Sequence, residues 1–257
     1  MGNQNYAPLI RDMTWSFSRI SAFEDCPYRW YLSYIREKRE EDTFYASYGS
    51  FIHSILADYY KGKLDKDDLP GVFLSRFRES VKGVRPSPEI AAKYVEEGAT
   101  FLRSPFIPDG EIIGVEKRVR FSVCGKPFIG TVDLLVRDEN GIVLIDHKSR
   151  ALKPRSGKSK PTENDREIDD MMKQLYLYAE AIRQEFGEIP YKLCLNCFRS
   201  GVLIEEPFNE AAFEAAKEWA AAETDRIEAE DDFDADPEWF RCRYLCGYHT
   251  YCDEWRE

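Results

Sequence analysis

The 257-residue chain has little histidine (three residues), little methionine (four) and no excess of positive charge. It also lacks a long hydrophobic run. The longest uncharged stretch, Thr43 to Ala57, carries Ser47, Gly49, Ser50, His53 and Ser54. It is too short and too polar for a membrane span, so no membrane partner is expected. Met1 to Arg11 has neither a basic n-region nor an apolar h-region, and Tyr6 stands where a myristoylation motif needs Ser or Thr. A cytoplasmic protein is expected. Lys plus Arg total 36 against 47 Asp plus Glu, a net charge of −11. That balance argues against a generic basic coat for nucleic acid, while leaving room for a local basic strip. Apolar residues at 43% and aromatics at 14% suffice for a real core and exclude global disorder. Seven cysteines, an odd number in a chain with no export signal, read as reduced thiols, and clustered ones would point to a metal.

The first hundred residues read as helical. Helices are expected over Ser18–Ile35, Tyr48–Tyr60, Asp67–Glu79 and Glu89–Leu102, with Ser16 or Ser18 capping the first. The pattern then changes. Glu111–Val123, Lys126–Arg137 and Ile142–Ser149 are rich in Val, Ile and Leu and are punctuated by Gly125 and Asn140-Gly141, as in an antiparallel meander. A basic loop, Arg150–Arg166, leads to an amphipathic helix, Glu167–Phe186. Two strands (Tyr191–Arg199, Val202–Glu206) and an Ala-rich helix capped by Asn209 follow, then an acidic stretch, Glu228–Glu238. This order gives an α+β fold, or an α/β/α core with a helical annex.

The chemistry concentrates on the meander. Alternate residues of a strand share a face, so Asp146 and Lys148 point the same way, and Asp133 on the preceding strand can lie across from Asp146. Two carboxylates at close range repel unless a cation lies between them. Hard oxygen ligands suit Mg²⁺ or Mn²⁺, and a neighbouring amine can orient a water or neutralise charge on a phosphate. The set fits metal-assisted phosphodiester hydrolysis. Alone, an Asp-x-Lys pair is more often an ordinary surface ion pair.

The segments Gly130-x-x-Asp133, Asp146-x-Lys148 and Gln174-x-x-x-Tyr178, with Gly49-Ser-Phe-Ile-His53 upstream and the opening Ser16 to Pro27, resemble the PD-(D/E)XK nuclease superfamily. They are most similar to its RecB-like exonuclease branch, which includes the AddB nuclease domain and the CRISPR-associated iron–sulfur exonucleases. The resemblance implies a restriction-endonuclease-like α/β/α core with a mixed central sheet. It implies a single nuclease domain over 1–257, with a helical part at 14–105, the nuclease core at 106–230 and a Cys-rich segment at 231–257 closing on Cys26. Catalytic Asp133, Asp146 and Lys148 follow by position, with His53, Asp133, Asp146 and the His147 carbonyl as metal ligands and Glu116 as an auxiliary group. Asp146 stands where the family usually has Glu. Gln174 and Tyr178 would contact DNA or a water at the metal. The implied activity is a DNA exonuclease acting on single strands or ends, in recombination, repair, CRISPR adaptation with antiviral defence, or phage DNA processing. A helicase or a CRISPR integrase is the implied partner. Rival readings are an idle DNA-end-binding adaptor and a restriction-type endonuclease.

Lys153 and Arg155 belong to the basic run after the catalytic strand and are expected to track a phosphate backbone. Gly157-Lys158-Ser159 mimics the end of a P-loop, but Leu152 replaces its first glycine and Pro161 opposes a following helix, so no NTPase is expected. Cys242-x3-Cys246-x5-Cys252 is a dense trio, and a metal or cluster normally needs a fourth thiolate, for which Cys26 is the natural candidate. In the resembling families one early and three late cysteines hold a 4Fe–4S cluster, often with x2 where this chain has x3. Zinc and unliganded thiols are the alternatives. Cys194 and Cys197 fall on opposite faces of a strand, and Cys124 reads as a small buried hydrophobe. His249 is expected at the surface or behind the ligands.

Overall fold

The computed structural model describes residues 6–255. The outermost limits of the expected domain, residues 1 and 257, and the first five residues of the segment judged for a leader lie outside that range.

A short helix, α1 (Ala7–Arg11), which the sequence pattern does not indicate, precedes the expected helical part. The Ser16 hydroxyl accepts from the Arg19 N–H and starts α2 (Phe17–Asp25). In place of one continuous helix from Ser18 to Ile35, the chain breaks at Cys26, which is extended at φ −167°, ψ 109°. A residue before proline is pushed out of the helical region, and Pro27 then serves as a first-turn residue of α3 (Pro27–Tyr34). The break sets Cys26 at a corner. Thr43 caps α4 (Phe44–Tyr60), which begins four residues before the expected start because the cap precedes the first periodic apolar residue. α5 (Leu69–Ser80) and α6 (Pro88–Arg103) complete this part. Phe44, Tyr48, Phe73, Phe77, Tyr94 and Phe101 give these helices an aromatic core of their own.

β1 (Glu111–Val123), β2 (Lys126–Asp138) and β3 (Gly141–Lys148) form the antiparallel meander. α7 (Glu163–Phe186) then crosses over to β4 (Lys192–Cys197), which runs parallel to β3. β5 (Val202–Pro207) is antiparallel to β4, and α8 (Glu210–Glu228) follows with Asn209 as its cap. The sheet order is β1-β2-β3-β4-β5. α7 starts four residues earlier than its apolar stripe implies, because Thr162 and Asp165 close a capping box ahead of the stripe. One sheet face buries Leu135, Leu144, Leu193 and Leu195 with Leu175 and Ile182 of α7 and Phe213 of α8. The other buries Leu134, Val136, Val143 and Ile145, with Tyr60 of α4 packed against them. A mixed sheet flanked by helices is the expected α+β architecture. Cys194 packs on the second face and Cys197 on the first, as the strand spacing of three requires.

The acidic stretch after α8 is pinned by one aromatic. Phe233 stacks on Trp30 (5.6 Å between centroids) and on Tyr31 (5.3 Å), so burial of its ring draws the C-terminal segment onto α3. Glu41 N donates to Gly247 O at 2.8 Å and Tyr248 OH to Ser33 Oγ at 3.0 Å, fixing the segment beside Cys26. Among the described residues no helix is long and apolar enough to cross a membrane.

Candidate active site

The β2–β3 register pairs Leu134 with Ile145, and Asp133 and Asp146 come next in line. There the His147 backbone amide donates to Asp133 Oδ2 at 2.7 Å. On β1, Val115 and Lys117 pair with Leu134 and Val132, which sets Glu116 level with Asp133. Glu116 has φ 51°, a left-handed conformation rare for a long side chain within a strand and a local strain of the kind found at working sites. From α4, His53 Nδ1 reaches Asp133 Oδ2 at 3.5 Å and Glu116 Oε1 at 3.9 Å.

Asp146 and Lys148 share a strand face, and Lys148 Nζ lies 2.8 Å from Asp146 Oδ2. Lys148 Nζ also donates to Gln174 Oε1 at 2.5 Å, and Gln174 Nε2 donates to Tyr178 OH at 3.0 Å. These partners come from one strand and from adjacent turns of α7, so the spacing of four residues delivers both to one point. Gln174 lines the cleft. Tyr178 departs from the expected cleft contact: it is 6% exposed, with its ring over Gly130. A Cβ at Gly130 would lie 2.3 Å from Tyr178 Cε1, which is why this strand position holds glycine. Gly49 on α4, Ser50, His53, Glu116, Asp133, Asp146 and Lys148 line one open cavity of about 670 Å³.

Burial works to raise the Asp133 carboxyl, but the His53 hydrogen bond and ring charge outweigh it and hold it below its usual range. Burial works to lower the His53 ring, and Asp133, Asp146 and Glu116 overcome it and raise it. Glu116 is raised by burial and by the charge of Asp133. Asp146, 3% exposed, is pushed up to about 6 by burial, against the pull of Lys148. The carboxyls of Glu116, Asp133 and Asp146 thus share the cleft with the basic groups of His53 and Lys148.

His53, Glu116 and Asp133 each offer a ligand atom, all within 4.8 Å of one another. Asp146 stands outside that group, its buried Oδ2 facing the Lys148 ammonium at 2.8 Å. Hard carboxylate oxygens and one imidazole fit a divalent cation. Glu116 is closer to the donor group than the sequence pattern conveys, since only the strand register sets it beside Asp133.

Asn196 is a residue that the sequence reading misses. Its Nδ2 lies 2.9 Å from His147 Nδ1, and the His147 ring stacks on Tyr60 at 5.7 Å. The parallel pairing of β3 with β4 creates the contact, and no local spacing announces it. Burial pushes the His147 ring down to about 4, so it is a neutral prop behind the cleft. The basic loop sits elsewhere. Arg155 pairs with Asp169 at 2.7 Å and with Glu206, and the Lys153 amide donates to Asn164 Oδ1 at 2.9 Å. Neither Lys153 nor Arg155 lines this cavity.

Cys26, Cys242, Cys246 and Cys252 converge on a second, mostly apolar pocket with Arg29, Leu32, Tyr248, His249 and Trp255. All four are free thiols, and Asp236 N donates to Cys26 Sγ at 3.5 Å. Cys124 is exposed, not buried as expected, because it sits in the turn after β1.

The sequence profile of the PD-(D/E)XK nuclease superfamily matches residues 14–253. No curated protein matches the chain. A solved structure from Eubacterium rectale, named as a candidate exonuclease, superposes with a TM-score of 0.54 at 13% identity, covering 100% of this chain and 95% of its own. A second, named SSO0001, aligns over 94% of this chain and 86% of its own at 18% identity, with a TM-score of 0.34. The first shows the shared fold.

Proposed function

Because the chain belongs to the PD-(D/E)XK nuclease superfamily, we propose that it is a divalent-metal-dependent DNA exonuclease of the RecB-like kind, acting on single strands or DNA ends. The observation that carries this is the meeting of Asp133, Asp146 and Lys148 with His53 and Glu116 in one open cleft. The name of the Eubacterium rectale relative agrees with an exonuclease. Recombination, repair, CRISPR adaptation and phage DNA processing are the settings such chemistry serves.

His53, Asp133 and Asp146 would hold the ion, with Glu116 close enough to join them. When bound, such an ion polarises a phosphoryl oxygen and acidifies a water. The protein's own contribution is positional. Lys148, steadied by Asp146 on one side and Gln174 on the other, presents Nζ to the attacking water and to charge developing on the phosphate. Tyr178 keeps Gln174 from turning away. The His147 amide fixes Asp133, and Asn196 fixes the His147 ring. The open cavity admits a strand end without a base-reading insertion.

The cysteine pocket is proposed to carry a 4Fe–4S cluster on Cys26, Cys242, Cys246 and Cys252, joining the helical part at 14–105 and the 231–257 segment around the 106–230 core. The convergence of all four thiols on one pocket supports a bound group there, with zinc and unliganded thiols as the alternatives.

End-labelled single-stranded DNA of both polarities, incubated with Mg²⁺ or Mn²⁺, tests the proposal. Progressive release of short products, abolished by chelator, is expected. Binding without cleavage would mean an idle adaptor, and discrete internal fragments an endonuclease. Anaerobically purified protein should be brown and contain iron; a colourless, zinc-loaded protein would refute the cluster.

A further inference from the structure

The C-terminal segment carries aromatics in the open. Trp239 is 62% exposed and Phe240 43%. Large aromatics held in water on one patch call for an occupant. These two are not isolated. Trp239 meets Tyr244 at 5.7 Å, Phe240 meets Tyr244 at 5.3 Å, and Phe240 meets Tyr45 at 5.8 Å between ring centroids. Tyr45 is itself a wall of the catalytic cavity. The rings therefore run without interruption from the cleft to the surface. The π-helical turn Arg241–Leu245 that presents Tyr244 packs on α4, the helix that carries His53.

The helix beside the rings borders a second cavity. Ala46, Ser50 and Ser54 of α4 line the catalytic cavity and also a second cavity that reaches Arg29 and Leu245. Glu40, Glu41 and Asp42 also line that second cavity, so a strand on this side gains little from its phosphates there.

We propose that Tyr45, Phe240, Tyr244 and Trp239 form a stacking shelf for the unpaired bases of single-stranded DNA whose terminus lies in the catalytic cleft. The inference rests on the nuclease reading above. Flat rings suit bases of any sequence, because every base offers a π face. That matches an enzyme with no base-reading insertion and a net charge of −11, which must draw part of its hold on the strand from stacking rather than from phosphates alone. The shelf also gives the cysteine segment a second role, since that segment sets the rings at a fixed distance from the cleavage point.

The experiment compares binding of an oligothymidylate with an abasic oligonucleotide of equal length, in chelator so that no cleavage occurs, for the wild type and for Trp239→Ala, Trp239→Phe and Trp239→Leu. Trp239 is largely exposed, so these variants keep the fold. Wild type should prefer the base-bearing strand, and Trp239→Ala should lose about tenfold of that affinity with no change on the abasic strand. Phe should restore the preference and Leu should not. Equal affinities for all four proteins overturn the shelf. Rescue by Leu, or wild-type self-association abolished by Trp239→Ala, overturns it in favour of a protein interface. Cleavage that proceeds with an unchanged KM in Trp239→Ala overturns the shelf and leaves the nuclease reading standing. Absence of both binding and cleavage in the wild type overturns both.

Discussion

The acidic cleft and the cysteine pocket are built on opposite plans. In the cleft, neighbouring strands bring the groups together: Glu116, Asp133 and Asp146 sit level on β1, β2 and β3, and α7 adds Gln174 from behind. Its polar groups are tied to one another. In the pocket, a corner before Pro27 faces turns more than two hundred residues later in the chain, and no sheet or long helix sets their spacing. There, aromatic packing on Phe233 does the positioning. One site is positioned by strand register, whereas the other is held by what closes it. Such closure of a long loop is where a bound cluster would add most to stability.

The largest effects should fall on the cleft chemistry. Lys148→Ala should lower the cleavage rate about 10²–10³-fold while circular dichroism and melting stay near those of the wild type. Asp146→Asn should behave alike and also weaken Mn²⁺ binding by calorimetry. Retained activity in either variant would remove the assigned roles. Cys242→Ser should instead lower stability and iron content more than the rate per folded molecule. If it lowers both in parallel, the two regions are one cooperative unit and the contrast fails.

Each region has one glycine whose neighbours leave no room for a Cβ. A Cβ at Gly130 would meet the buried Tyr178 ring at 2.3 Å, and one at Gly247 would meet the Glu41 carbonyl oxygen at 2.2 Å. Each Ala substitution should cost about 1–3 kcal/mol through overpacking. Gly130→Ala should also lower activity below its melting point, because Tyr178 holds Gln174. Gly247→Ala should leave the rate per folded molecule intact and disturb the thiols. Denaturant melts with paired activity assays separate these outcomes.

Thiol reactivity gives a smaller contrast. Burial pushes Cys194 up to about 12 and Cys197 up to about 11, so both stay protonated and slow to alkylate near neutral pH. Iodoacetamide mapped by mass spectrometry should label Cys124 first and the sheet pair last. The four pocket thiols should be labelled only after the bound group is stripped. Early labelling of Cys194 would contradict its place in the sheet.

The sheet and the acidic centre are readable in the sequence because strand alternation is local: Asp146-x-Lys148 shares a face in any strand. The corner at Cys26 is also written in Pro27, although periodicity across the break masks it. What cannot be read depends on pairing between distant segments. The parallel seating of β4 on β3 brings Asn196 to His147, and the strand register brings Glu116 to Asp133. The capture of Arg155 by Asp169 and Glu206 likewise needs the fold, because a run of basic residues carries no sign of which charges are already paired.

The smallest expected effect lies in the loop between β3 and α7. Asp165 accepts from Ser156 Oγ at 2.6 Å, Thr162 Oγ1 at 2.7 Å and both of their backbone amides, and these bonds hold its carboxyl well below the usual range. A carboxyl depressed in the folded state adds stability that is present above its unfolded pKa, about 3.9, and is lost as the pH falls toward the folded value. The wild type should therefore lose melting temperature as the pH drops below about 4. Asp165→Asn should start less stable at neutral pH and show a flatter acid limb. Because this carboxylate also ties the basic loop to the first turn of α7, the variant should raise hydrogen exchange over residues 153–165 while leaving the cysteine pocket unchanged. Parallel loosening of both regions would show that the loop, not the sheet, couples them.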